Sequence, residues 1–511
     1  MATPLVIGID CSTTACKAIA WDPKGNAVSE GRSAHALIQP RPKWYEQDAE
    51  DWWRGTVQAV RATLMDVDVA RLEALCITHQ RESFVPVDAQ GRPLRAAVLW
   101  LDERGHAQVQ HLAQVIGQDR FHQITGKPLT PNPSITKVAW CVQHEPDIVA
   151  KTHKFLDVHA YLVHKLIGAY RTSRASADPM GLVDMRIHGW SPELIAELGL
   201  RVEQFPELYG PGTVIGRVSE LAARVTGLPA GLPVVAGAGD GQCAGLGVNA
   251  TRGGRASLNL GTAVVSGTMS DEYVVDRAFR TLYAPVDGTY VLETVIHGGT
   301  FTINWFVQHF GCGCGDGHEK LSVEEELEIQ AGKIPPGSQG LMLVPYWSHA
   351  MTPYWDPAAS GITIGWTGVH GAAHIFRAIL EGIAYEQRLV GDAMMEAVGE
   401  THQEYVALGG GSRSDLWCQI LADVTGVPIT RSADVEATCL GAGILAAAAV
   451  GWYPDPVSAA QSMTSTRGQF LPDPANYSFY GQLFNQVYEP LYPTLRPLIH
   501  RLTALSREAS A

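Results

Sequence analysis

The chain has 511 residues, 46% hydrophobic and 18% charged, with 52 glycines and a formal net charge of −14. That length supports two large domains with cores of their own. The acidic balance excludes the basic surface that non-specific nucleic-acid or anionic-membrane binding requires. No apolar run approaches the roughly 20 residues of a membrane helix. "MATPLVIGID" has no basic region ahead of its apolar residues, and nine scattered cysteines form no disulfide framework. A cytoplasmic protein is expected.

Residues 4–37 read as three strands, "LVIGID", "CKAIAWD" and "AVSEGRSAHAL", the last two joined by a Pro-Lys-Gly-Asn turn. "DAEDWWRGTVQAVRATLMDV" is an amphipathic helix, with Trp53, Val57, Val60 and Leu64 as its expected core face. "LEALCIT" reads as a buried strand, followed by "FVPVD" and "AAVLWLD". This order gives an α/β layer structure. "GLPVVAGAGDGQCAGLG" puts Asp240 between two glycines at the end of a buried strand. "RASLNLGTAVVSGTMSD" then repeats the opening pattern of strand, hydroxyl-bearing turn and strand, which suggests a duplicated architecture with a cleft between lobes. "YVALGGGSRSDLWCQILADVTG" is a strand, a triple glycine and a helix. "DVEATCLGAGILAAAAVG" is a further helix, with Asp434 as expected cap and Gly451 as stop. The expected division is 1–248 and 249–511.

Four places carry chemistry. The first turn gathers Asp10, Ser12, Thr13, Thr14 and Lys17. Turn amides and hydroxyls hold phosphate oxygens, an acid supports Mg2+, and a lysine neutralises transferring charge. A plain polar hairpin is the competing reading, and no Walker-type "GxxxxGK[ST]" is present. Asp240, flanked by glycines, suits a general base that must approach a substrate hydroxyl closely. Arg81 and Glu82 in "THQRES" offer donor and acceptor to neighbouring hydroxyls, or form a surface ion pair. The glycines of "LGGGSRSD" allow close approach to a nucleotide. Cys312, Cys314 and His318 in "GCGCGDGH" lack an apparent fourth metal ligand and read as an insertion.

Together and in this order, "GIDCSTTACKAIAWD", "PSITKVAW", "NLGTAVVSG", "TPYWDPAASG", "GWTGVHGAAHIFRAILEGIAYE" and "LGGGSRSDLWCQILAD" resemble the FGGY carbohydrate kinases. The resemblance spans nearly the whole chain. It implies two ribonuclease H-like domains of the actin and sugar-kinase ATPase superfamily, with ATP and sugar meeting in the cleft. It implies Asp240 as base and Asp10 as support for Mg2+. Ser12, Thr13, Thr14 and Lys17 would lie at the transferred phosphoryl group, and Gly261 and Thr262 at the phosphates from the second lobe. Gly299 and Asn304 would lie near adenosine, Gly410 and Gly411 against the nucleotide, and Ser414 near adenine. A homodimer is common in the family. Ser12 departs from the family's usual glycine, and its side chain narrows the loop.

The sugar site is mixed. Arg81, Glu82 and Trp100 resemble the glycerol kinase pattern. Asn132, Val265 and Gly241 replace that pattern's tyrosine, phenylalanine and glutamine with smaller residues, which implies a roomier site. The expected substrate is a pentulose such as xylulose. The alternatives are a glycerol, tetritol or pentitol kinase and, in another class, a non-catalytic nucleotide-binding protein.

Overall fold

The computed structural model describes residues 2–311, 321–347, 349–434 and 436–510, with side chains to Ser506. The Cys312, Cys314 and His318 segment lies outside them.

The opening strands form one edge of a six-stranded sheet. Its spatial order is Val214–Arg217, Pro233–Val235, Leu72–His79, Leu5–Cys11, Ala15–Trp21 and Ala27–Ala34. Leu5–Cys11 runs antiparallel to Ala15–Trp21 and parallel to Leu72–His79. The second sheet has seven strands: Arg280–Tyr283, Tyr290–Ile296, Val264–Ser270, Arg255–Leu260, Glu404–Leu408, Ile429–Ser432 and Thr466–Phe470. Here Arg255–Leu260 runs antiparallel to Val264–Ser270 and parallel to Glu404–Leu408. The internal echo is therefore a repeat of pairing as well as of residue type.

Leu5–Cys11 is buried on both faces. Leu5, Ile7 and Ile9 enter one core and Val6 another, the period of two that a central strand imposes. The first core is roofed by the helix Ala49–Leu64. The face that this helix buries differs from the expected one. Trp52, Gly55, Thr56, Ala59, Val60 and Thr63 are buried, whereas Trp53, Val57 and Leu64 are only partly covered. The reason is close contact with the sheet: a Cβ on Gly31 would lie 2.1 Å from the Ala59 carbonyl oxygen. Small residues must face that approach, and the larger ones flank it.

The other face of the first sheet is covered by a helix from far along the chain, Ala437–Ala449. Its backbone touches that of the strand. A Cβ on Gly8 would sit 2.2 Å from the Cys439 carbonyl oxygen, and one on Gly441 2.0 Å from that of Cys243. The Cys439 thiol donates to the Gly8 carbonyl at 3.1 Å. Asp434 does not cap this helix. Glu436 is its N-cap residue, without a side-chain cap bond, because the chain turns helical only at Ala437. The expected closing Gly451 does take a left-handed conformation, with φ of 81°.

The long helix Ala372–Val398 runs through the core of the second lobe and buries Glu386 there. Tyr346 and Tyr488 each donate a hydroxyl to this carboxylate at 2.7 Å, and burial pushes it up to about 7.

Two predictions follow from these contacts. Gly8→Ala should lower unfolding stability by about 1–3 kcal/mol through overpacking. Gly368→Ala, with nothing within 4 Å of the new carbon, should change it by less than about 0.5 kcal/mol. Denaturant midpoints for both variants check this. The second concerns pH. An acid whose folded value exceeds its unfolded one costs nothing below the unfolded value and its full penalty above the folded one. Glu386→Gln should therefore be more heat-stable than the parent at about pH 8 and lose that advantage towards about pH 5. An advantage independent of pH in thermal melts would contradict it.

Candidate active site

The first hairpin carries the candidate phosphate end of the cleft. Asp10 and Lys17 are register partners on adjacent strands, so their side chains share a face. Lys17 thus lies on the strand beside the turn, outside the turn itself. Its ammonium is 2.5 Å from the Glu436 carboxylate, which stands at the start of the helix from the far end of the chain. Asp10 is partly buried, and its shielded Oδ1 has no hydrogen-bond partner. Burial raises this carboxyl well above the usual carboxylate range. The nearby Asp240 raises it further, and Lys17 opposes.

The turn is braced from below. The Ser12 hydroxyl donates back to the Ala15 carbonyl at 3.0 Å, so it closes its own turn. The Thr13 hydroxyl donates to Gln80 Oε1 at 3.2 Å and accepts from Trp100 Nε1 at 3.0 Å. Gln47 Nε2 donates to the Thr13 carbonyl at 2.6 Å, and Thr14 is exposed. The indole N–H of Trp100, expected at the sugar, is committed to the phosphate turn instead. Gln47 and Gln80 do not stand out in the sequence.

Asp240 opens the short helix Asp240–Leu246. Its Oδ1 accepts from its neighbour's amide, Gly241 N, at 2.8 Å and is ion-paired with Arg81 Nε at 3.0 Å. Arg81 also donates through Nη1 to Glu293 Oε2 at 2.8 Å. Arg280 then reaches Glu293 Oε1 at 2.6 Å and Glu82 Oε1 at 2.8 Å. The result is one continuous chain of charge: Asp240, Arg81, Glu293, Arg280, Glu82. Arg81 and Glu82 come from the first lobe, and Glu293 and Arg280 from strands of the second. Side-chain exposure is 42% at Asp240 and no more than 11% at the other four. Glu82 holds a φ of 59°, a strained conformation for a residue with a side chain, and its ion pair to Arg280 anchors it. Burial lowers the guanidinium of Arg81, but Glu293 and Asp240 more than compensate and leave it raised.

This geometry corrects one expectation. The space beside Gly241 is not open to substrate. A Cβ there would lie 3.0 Å from Glu293 Oε2 and 3.1 Å from Arg81 Nη2, so the ion pair fills it. Asn132 is partly buried, and its carbonyl accepts the Lys137 ammonium at 2.5 Å. Burial lowers that ammonium to about 8. Val265 is partly buried on the strand Val264–Ser270. Glu293 and Arg280 were not singled out, although an acid within "YVLETVI" is a signal for a buried partner.

On the second lobe, Gly261 and Thr262 form the turn matching the first. Their carbonyls accept from the amides of Thr300 and Phe301 at 2.9 and 3.2 Å. Gly299 sits against this turn, where a Cβ would be 2.6 Å from the Gly261 oxygen. Asn304 is exposed on the following helix, Thr300–Phe310. Gly410 faces open space, whereas the missing side chain of Gly411 makes room for Trp417 at 2.3 Å. Ser414 is occupied as well. It accepts from Trp417 N at 3.0 Å, capping the helix Asp415–Thr425, and donates to Glu328 at 2.6 Å.

Two lobes built alike, each with a turn at the cleft and an open carboxylate between them, define a two-lobed phosphotransferase. The chain belongs to the FGGY family of carbohydrate kinases: the family's N-terminal domain matches residues 5–247 and its C-terminal domain residues 256–450. Xylulose kinases, gluconokinases and glycerol kinases are all among its relatives. The xylulose kinase of Escherichia coli K12 is 29% identical over 97% of this chain and 100% of its own. A glycerol kinase of Dechloromonas aromatica is 31% identical over 88% of this chain and 90% of its own. The crystal structure of xylulose kinase from Rhodospirillum rubrum superposes with a TM-score of 0.90 at 27% identity, over 97% of this chain and 100% of that one. The fold is thus the two-domain, ribonuclease H-like kinase fold, and the protein is a phosphotransferase acting on a sugar or polyol hydroxyl. No helix among the described residues is long and apolar enough to cross a membrane.

Because the Ser12 hydroxyl bonds within its own turn, Ser12→Gly should remove about 1 kcal/mol of stability and leave the KM for ATP nearly unchanged. A large fall in that KM would show that the side chain obstructs the phosphates.

Proposed function

We propose that the chain transfers the γ-phosphoryl group of ATP to a terminal hydroxyl of a pentulose such as xylulose, with Asp240 as general base. One observation carries the base assignment. The hydrogen bond from Gly241 N and the ion pair with Arg81 both fall on Asp240 Oδ1, which leaves Oδ2 for the substrate proton in the most open member of the charged chain. Taking up that proton as the hydroxyl attacks is work for a positioned carboxylate. Arg81 holds the base in place.

Residues 1–248 would supply the sugar site and first phosphate turn, and 249–511 the nucleotide site. Asp10, partly buried with a shielded, unpartnered oxygen and raised in part by Asp240, fits a divalent cation at this end. No group of three or more candidate ligands occurs among the described residues. This suits Mg2+, which keeps several waters and shares its coordination with phosphates. When bound, it would neutralise charge on the transferring phosphate. Lys17 lies beside this position and Thr13 in the turn, where phosphoryl transfer calls for positioning and charge stabilisation more than covalent chemistry.

The pentulose reading rests on the small Asn132 and Val265 and on full-length similarity to xylulose kinases. The adjacent Arg81 and Glu82 favour a polyol as the second reading. ADP release measured over glycerol, erythritol, threitol, ribitol, xylitol, arabinitol and both enantiomers of xylulose and ribulose decides between them. A pentulose well above the rest supports the proposal, and a polyol in that place replaces it.

Asp240→Asn should lower kcat by about 10²–10⁴ while nucleotide affinity, measured by calorimetry, stays near the parent value. Near-normal turnover would remove the base assignment. Arg81→Ala should raise the sugar KM more than the ATP KM, and equal effects would place Arg81 outside the sugar site.

A further inference from the structure

Resting on the kinase reading above, we infer that Glu293, supplied by the second lobe, is a specificity-determining residue that restricts the acceptor to neutral sugars and polyols and rejects sugar acids. Relatives include gluconokinases, whose name specifies an acid substrate, as well as xylulose and glycerol kinases. Family membership therefore leaves the charge of the acceptor open.

A carboxylate substrate needs a guanidinium or ammonium that is accessible and not already matched. The two arginines in this part of the cleft fail the second condition. Arg81 is divided between Asp240 at 3.0 Å and Glu293 at 2.8 Å. Arg280 is divided between Glu293 at 2.6 Å and Glu82 at 2.8 Å. Three carboxylates thus face two guanidiniums, and the chain's excess charge is negative. Lys127 is paired with Asp178 at 3.3 Å and Lys137 is wholly buried against the Asn132 carbonyl. Lys17 stands at the phosphate end, on Glu436.

Glu293 is the centre of this arrangement. It is 2% exposed and engages both arginines, one with each oxygen. It also occupies the room that Gly241 leaves, 3.0 Å from the position of a Cβ there. A glycine at 241 therefore admits a carboxylate from the opposite lobe. An acid substrate that drew Arg81 or Arg280 to itself would leave a buried protein carboxylate unmatched, which is strongly unfavourable. A neutral polyol asks for no such exchange and can hydrogen-bond to the outer edge of the chain as it stands.

The test compares acceptors of equal length that differ only in a terminal CH2OH or carboxylate: glycerol with glycerate, ribitol with ribonate, xylitol with xylonate, glucitol with gluconate. Both kcat/KM and calorimetric affinity, the latter with a non-hydrolysable ATP analogue, are measured within each pair. The neutral member should be preferred by about 100-fold or more. Glu293→Gln keeps the shape, removes one negative charge and leaves Arg81 only Asp240. It should narrow that preference about tenfold or more. An acid bound or turned over better than its neutral partner would overturn the inference. So would a variant that weakens both members of every pair alike, since that is the signature of structural support only. If glycerol or a tetritol proves the best acceptor, the pentulose reading falls while this assignment stands, because each comparison is internal to a pair.

Discussion

The structure depends on a contact between two backbones with no side chain between them. The helix Ala437–Ala449 lies on the strand Leu5–Cys11 because Gly8 leaves no carbon in the way, and on the helix Asp240–Leu246 because Gly441 leaves none there. Gly247 does the same at the helix start, where a Cβ would be 1.9 Å from the Ala437 oxygen. Close packing of this kind makes interiors stiff and intolerant of added volume. It also ties residues at the two ends of the sequence together. The first turn of this helix delivers Glu436 to Lys17, and the two lobes are thereby registered at the phosphate end of the cleft.

From that registration follows the electrostatics of the opposite wall. Strands of the second lobe place Arg280 and Glu293 over Arg81 and Glu82. Burial makes each of these groups expensive alone and favourable only as a set. The set has one open end, Asp240, where a hydroxyl can arrive. Asp10 stands in contrast: its Oδ1 is shielded and unpartnered and its carboxyl is raised, so its ionised form is disfavoured. Asp240 helps to raise Asp10, and the two acids sit in different surroundings, one open and ion-paired, the other partly buried with a shielded oxygen.

Much of this was legible in the sequence. The strand–turn–strand opening, its repetition at residues 255–270 and the glycines around Asp240 are local signals, and periodicity reads local signals well. The helix at residues 49–64 was also legible, but its buried face was not. Periodicity selects the largest apolar residues, whereas the close approach of the sheet turns Gly55, Thr56, Ala59 and Thr63 inward beside Trp52 and Val60. Asp434 has the chemistry of a cap, yet the chain turns helical only after Glu436, which Lys17 holds. The ion pairs were out of reach for another reason. Arg81 and Glu293 are 212 residues apart and Arg280 and Glu82 are 198 apart, so no local pattern links them. Gly241 shows the cost of that blindness. Read alone, a small residue implies space, but the space had already been filled from the other lobe.

The crossed pairs at the cleft have a consequence for how the lobes feel each other at a distance. The second lobe brings one cation and one anion, Arg280 with Glu293, and the first brings Arg81 with Glu82 and Asp240, one negative charge in excess. Two opposite charges attract as the inverse of their separation. A charge and a compact neutral dipole attract more weakly once they part, because the fields of the dipole's two ends largely cancel. The grip here is therefore that of a latch and not of a spring. It is firm at contact and absent soon after release, and it exerts little pull on an open cleft waiting for sugar.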